Sequence, residues 1–140
     1  MLLPVATCLA FVVIAAWHFY VAVVPGTSHS WAIPNLEGKP LFRPSRMGTA
    51  AVALMLLAFA ALVAACARIW AVGVPHRLLL WLSYALAAAL CCRAIGDFRY
   101  VGFFKQVRGT AFARLDSLLF SPLCLLLAAG VGVTAFQSAP

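Results

Sequence analysis

Two of the three acidic residues in the chain lie close to its densest group of bases, and their carboxylates are the groups best suited to chemistry. Asp97 belongs to the stretch GDFRYVGFFK, residues 96–105, and Asp116 lies further along the same polar region. Arg93, Arg99 and Arg114 flank them. An aspartate–arginine cluster of this kind could bind a polar headgroup, orient a substrate, or act as general acid and base.

A structural role competes with this interpretation for both carboxylates. Asp116 comes where an apolar segment begins, and aspartate is a favoured helix N-cap that also complements the helix dipole. Asp97 follows Gly96 at the end of another apolar segment, where a glycine C-cap and a turn are expected. Pairing with Arg93, Arg99 or Arg114 would then neutralise a junction between helices.

Aromatic and imidazole side chains extend the polar cluster. His18 lies inside an apolar segment, and an ionisable group in a membrane raises a functional hypothesis; the alternative is a neutral imidazole bonded to a backbone carbonyl. The phenylalanines of residues 96–105 alternate with bases and predict interfacial anchors at the headgroup level, namely Phe98, Phe103 and Phe104. The candidate cluster consists of His18, Arg93, Asp97, Arg99, Tyr100, Arg114 and Asp116.

The composition shows what kind of element must position these residues. Hydrophobic residues make up 66% of the 140 and charged residues 9%, whereas soluble domains have roughly 45–50% and about 25%. The chain is therefore predicted to be an integral membrane protein. Its formal net charge of +7 comes from short loops, where bases set topology and meet anionic headgroups, so nucleic acid is not an expected partner.

Four apolar segments predict four spanning helices at about residues 2–24, 48–67, 77–93 and 117–136. The third is short, but Arg77 and Arg93 can extend their charged heads outward from its ends. Frequent small residues favour close helix packing. The fold class is therefore an all-α four-transmembrane-helix bundle that forms a single domain over residues 1–140.

The distribution of bases predicts the orientation. The loop 25–47 carries Lys39, Arg43 and Arg46, and the loop 93–116 carries Arg93, Arg99, Lys105, Arg108 and Arg114. The opposite side has only Arg68 and Arg77. The positive-inside bias places both long loops in the cytoplasm and both termini on the non-cytoplasmic side.

No metal or cofactor is predicted. The five cysteines lie in apolar runs without metal-ligand spacing and are interpreted as small buried hydrophobes. His29 and His76 fall in predicted loops on opposite sides, which disfavours a bis-histidine haem. Nucleophile elbows, P-loops and dinucleotide fingerprints are also missing from the sequence.

Three stretches resemble a family of small bacterial membrane proteins known as domain of unknown function 3995. They are AAWHFYVAVVPG, AIPNLEGKPLFRPSRMGTAAVAL and RAIGDFRYVGFFKQVRGTAFARLDSLLFSPLCLLLA, in that order. The resemblance implies a four-helix protein of about this length in the bacterial inner membrane. It carries no established activity and therefore implies no catalytic residues.

The leading hypothesis for function is a small binding or accessory module. Its cytoplasm-facing polar cluster would take a lipid-like amphiphile or dock a partner subunit, with the bilayer and anionic headgroups as surroundings and a homo-oligomer or larger complex as a further expectation. Two alternatives remain open: an enzyme that acts on a lipid or isoprenoid substrate, and a purely structural subunit.

Overall fold

A computed structural model of the chain describes residues 1–24, 33, 35–36, 39–40 and 44–140. Within these ranges most residues are helical, turns and loops connect the helices, and two strands of two residues each form a pair, β1 (Asn35–Leu36) and β2 (Lys39–Pro40). Four helices are long and apolar enough to cross a membrane. They are α1 (Leu2–Val23), α2 (Arg46–Cys66), α3 (His76–Ile95), and a continuous 28-residue helix made of α4 (Ala111–Leu115), a π-helical turn (Asp116–Phe120) and α5 (Ser121–Ser138).

The helices pack as two antiparallel pairs. In the first pair, the thiol of Cys8 in α1 donates to the carbonyl of Ala60 in α2 at 3.3 Å, and the rings of Phe11 and Phe59 meet edge-on with centroids 5.9 Å apart. The early residues of α1 thus contact the late residues of α2. This register places the end of α1 beside the start of α2.

The second pair joins α3 to the last long helix with the same antiparallel sense. His76, the first residue of α3, bonds through Nε2 to the carbonyl of Ser138 at 2.8 Å. Because a carbonyl can only accept, Nε2 carries the proton here. At the other end, Arg93 of α3 contacts Asp116. A small core from all four long helices joins the two pairs and contains Phe11, Ala60, Val63, Leu86, Leu127 and Val131.

The first and last helices cross at a glycine. A Cβ on Gly130 of α5 would overlap the hydroxyl of Thr7 in α1, so only glycine permits this approach. Thr7 is buried and turns its hydroxyl back to the carbonyl of Leu3 at 2.9 Å. Small residues let membrane helices pack closely where apolar burial gives no drive between them.

The observed helix bounds differ from the predicted spans most at the fourth. The sequence predicts a start near residue 117, but the helix begins at Ala111. Hydropathy marks the apolar part of a helix and cannot detect a polar first turn, which is why the prediction begins too late. The third helix is also longer than predicted, at 20 residues.

Candidate functional site

Thr110 opens the helix that carries Asp116. Its hydroxyl accepts a hydrogen bond from the amide of Ala113 at 3.0 Å, which is the N-cap geometry predicted for Asp116. The N-cap interpretation of Asp116 is therefore wrong. Asp116 instead begins the π-helical turn, in which the amide of Ser121 bonds to the carbonyl of Asp116. Wide turns of this kind occur mostly as single bulges inside α-helices, often at functional sites.

Asp116 lies at the centre of a buried triad formed with Arg93 and Lys105. It is 0% exposed, and one carboxylate oxygen accepts from Arg93 at 2.9 Å. The other oxygen accepts from Lys105 Nζ at 2.9 Å and from the amide of Gly102 at 2.7 Å. A buried carboxylate is tolerated only when its oxygens are satisfied in this way.

Lys105 is the residue that the sequence interpretation missed. It is 2% exposed, and its ammonium donates to the carbonyl of Gly102 at 2.8 Å, to Asp116, and to the hydroxyl of Ser117 at 2.7 Å. These three acceptors use all three N–H groups of a lysine. Bases in polar loops are usually solvated, and the sequence signal for this one is indirect, since Gly96 and Gly102 suggest a chain that turns back on itself.

The residues 96–110, called the junction segment below, fold back against the end of α3. The amides of Phe103 and Phe104 donate to the carbonyls of Ala94 and Ile95 at 2.9 and 3.4 Å, which satisfies carbonyls that the helix end leaves unpaired. Gly96 and Gly102 meet at this return, both with positive φ. A Cβ on Gly102 would overlap the carbonyl of Ile95, so the return needs glycine there.

Asp97 organises the exposed turn at the start of the junction segment. Its Oδ1 accepts from the amides of Arg99, Tyr100 and Val101 at 2.9, 2.7 and 2.9 Å. The slight desolvation of this exposed group raises the pKa of Asp97, but the backbone amides outweigh it and hold the pKa below its usual value. The turn also holds Phe98 in the left-handed region, at φ 61°, which costs a non-glycine residue free energy.

Aromatic rings and bases cover the outside of the junction segment. Phe98 and Phe104 are 58% and 64% exposed with ring centroids 6.5 Å apart, and Phe103 is partly exposed. The guanidinium of Arg99 lies over the ring of Tyr100, 5.2 Å from its centroid. Rings and bases on one surface are typical of segments that lie at the membrane–water interface.

Of the seven residues predicted to form one cluster, the structure brings Arg93 and Asp116 into contact. Asp97, Arg99 and Tyr100 form their own exposed turn. His18 bonds through Nδ1 to the carbonyl of Ile14 on its own helix at 2.8 Å, as the structural alternative predicts, and Arg114 is exposed on α4. His29 and much of the loop 25–47 lie outside the described residues.

The described residues contain no group of three or more potential metal ligands. They do contain three buried polar atoms without a hydrogen-bond partner: Ser83 Oγ, Ser121 Oγ and one terminal nitrogen of Arg93, NH1. The two serines are 1% and 0% exposed, whereas the side chain of Arg93 is 36% exposed. Of the three atoms, NH1 alone belongs to a side chain that reaches the surface.

Comparison with known proteins identifies the family. Residues 11–131 match the family described as "Protein of unknown function (DUF3995)". The chain belongs to this family. The matched region contains the triad and the whole junction segment, as the resemblance of residues 93–128 predicts. No curated protein and no solved structure matches the chain.

Proposed function

We propose that the protein is a membrane-embedded binding module that takes the headgroup of a lipid-like amphiphile at the junction segment. The segment lies between two helices that are long and apolar enough to cross a membrane, which supports a position at the edge of the hydrocarbon layer, where Phe98 and Phe104 would insert beside lipid chains. The basic side chains beside them, including Arg99, attract anionic headgroups.

The observation that carries this proposal is the buried triad. Lys105 and Gly102 of the junction segment donate buried hydrogen bonds to Asp116 of the long helix, and these bonds hold the segment against the helices. Its outward-facing rings then need not order themselves on binding, and prior order lowers the entropic cost of holding a ligand.

The distribution of bases supports an orientation with this face in the cytoplasm and both termini on the other side, in the bacterial inner membrane. Self-association or assembly with another membrane subunit is part of the same proposal. An enzymatic role for Asp97 or Asp116 is not, because both carboxylates already accept hydrogen bonds from several N–H groups.

A structural subunit is the second candidate, and the internal hydrogen bonds of Lys105 and Asp116 favour it as well. Lys105 uses all its donors within the protein, so the triad could serve only to join α3 to the last helix. The two candidates differ in whether the outer surface of the junction segment has a ligand.

Mass spectrometry of amphiphiles retained by protein purified in a mild detergent tests the proposal. We expect a reproducible amphiphile, and we expect the double variant Phe98→Ala/Phe104→Ala to retain less of it. Phe136→Ala is the matched control, because Phe136 is 75% exposed near the far end of α5. Wild-type protein that retains no amphiphile would support the structural subunit, and equal losses in both variants would place the binding elsewhere.

A further inference from the structure

The charges of the triad do not balance. Arg93 and Lys105 bring two cations to the one carboxylate of Asp116, which leaves an excess of one positive charge. Asp97, the other acid in the described part of the chain, bonds to its own turn. An excess charge at the edge of a membrane attracts an anion, because the low dielectric strengthens the interaction.

The hydrogen-bond donors of the triad are also unevenly used. Lys105 has no N–H to spare, since its ammonium already meets three acceptors. Arg93 commits NH2 to Asp116, while NH1 is buried and has no partner among the described residues. A buried charged donor without an acceptor is costly, so NH1 is the donor of the triad that an added anion would satisfy.

Arg93 is also the member of the triad that a ligand can reach. Its side chain is 36% exposed, whereas Lys105 and Asp116 are almost completely enclosed. It lies in the last turn of α3, where the exposed phenylalanines of the junction segment begin. The NH1 atom itself is enclosed, so a ligand can reach it only if the guanidinium rotates while NH2 stays on Asp116.

We propose that Arg93 binds a phosphate-type oxyanion through NH1, with Asp116 holding the guanidinium in place through NH2. This inference rests on the proposed function and names its ligand class as anionic. Guanidinium groups bind phosphate with short, charge-assisted hydrogen bonds, and a lipid headgroup or a free phosphate could supply the same oxygens.

Arg93→Lys is the most informative variant. It keeps a cation for Asp116 and so preserves the fold, but it removes the second nitrogen. Arg77→Lys is the matched control, because it makes the same substitution in an exposed arginine at the other end of α3. Arg93→Gln removes the charge as well, and thermal unfolding checks that each variant is folded.

The measurement is the dissociation constant in neutral detergent, determined by native mass spectrometry with short-chain phosphatidylglycerol, short-chain phosphatidylcholine and inorganic phosphate. We expect wild type to prefer phosphatidylglycerol over phosphatidylcholine, and Arg93→Lys to weaken phosphatidylglycerol binding about tenfold. Arg77→Lys should weaken it about twofold or less, because Arg77 is exposed at the opposite end of α3 and lysine keeps its charge. If inorganic phosphate also binds, the phosphate group alone is sufficient as the ligand. If inorganic phosphate does not bind, the ligand is the lipid with its headgroup.

An Arg93→Lys variant that binds phosphatidylglycerol as wild type does, or loses no more affinity than Arg77→Lys, would overturn the assignment to Arg93 and leave the proposed function standing. Equal binding of the two lipids by wild type, whose headgroups share the phosphate, would overturn the anionic ligand class. Failure of wild type to bind any of the three probes, together with no amphiphile retained on purification, would overturn both the assignment and the proposed function.

Discussion

Asp97 and Asp116 belong to one short polar region, yet they stabilise it by opposite means. Asp97 is exposed and accepts from three amides within four residues of itself, so its effect is local. Asp116 is fully enclosed and joins α3, the junction segment and the last long helix. An aspartate carboxylate thus shapes a turn where it is exposed, as at Asp97, and connects helices where it is enclosed, as at Asp116.

The largest expected effect comes from Asp116→Ala. Removing the carboxylate leaves the enclosed ammonium of Lys105 and the partly exposed guanidinium of Arg93 without their shared partner, which should lower the free energy of unfolding by about 3–5 kcal/mol. Unfolding by sodium dodecyl sulfate titration in mixed micelles measures this loss. A loss as small as that of Asp97→Ala would contradict the contrast between the two aspartates.

Gly102→Ala tests the return of the junction segment onto α3. Gly102 has a φ of 91°, and a Cβ there would overlap the carbonyl of Ile95. Together these effects should lower the free energy of unfolding by about 3 kcal/mol. Gly109→Ala is the matched control, because Gly109 has a φ of 93° but open space around its missing Cβ. We expect it to lose only about 1 kcal/mol in the same titration. Equal losses would show that backbone conformation alone, and not the close approach, requires glycine at 102.

Lys105→Met should destabilise the protein less than Asp116→Ala. Arg93 still neutralises Asp116 in this variant, while the carbonyl of Gly102 and the hydroxyl of Ser117 lose a donor. We expect a loss of about 1–3 kcal/mol. Chemical unfolding of both variants under the same conditions gives the order, and the reverse order would show that Lys105 is the main partner of Asp116.

Asp97→Ala should cost only about 1 kcal/mol, because it removes a cap on an exposed turn. Asp97→Asn keeps the oxygen acceptor and should cost less. Because the folded pKa of Asp97 lies below its usual value, the stability that its ionisation adds is present above about pH 4 and is lost as the pH falls through the lowered pKa. The difference in unfolding free energy between wild type and Asp97→Asn should therefore shrink below pH 4, and a constant difference would show that the charge contributes nothing.

Apolar runs predicted the helices, because a backbone in lipid must form all its hydrogen bonds internally and a helix does so. They did not predict the buried triad. Asp116 was placed at a helix start because the polar first turn from Thr110 carries no hydropathy signal, and nothing in residues 116–120 indicates a π-helical turn. Lys105 could have been suspected from the glycines at 96 and 102, which suggest a chain that turns back on itself. Its ligands, however, come from long-range packing.

The close contact between Gly130 of α5 and Thr7 of α1 has a consequence for biosynthesis. Thr7 leaves the ribosome well before Gly130, because Gly130 lies 123 positions (130 minus 7) later in the chain. Chains are made from the N-terminus at about 5–20 residues per second, so α1 waits several seconds for the helix that covers its buried face. Until then Thr7 and its neighbours face lipid or other proteins, and we expect the nascent chain to depend on the insertion machinery during this interval.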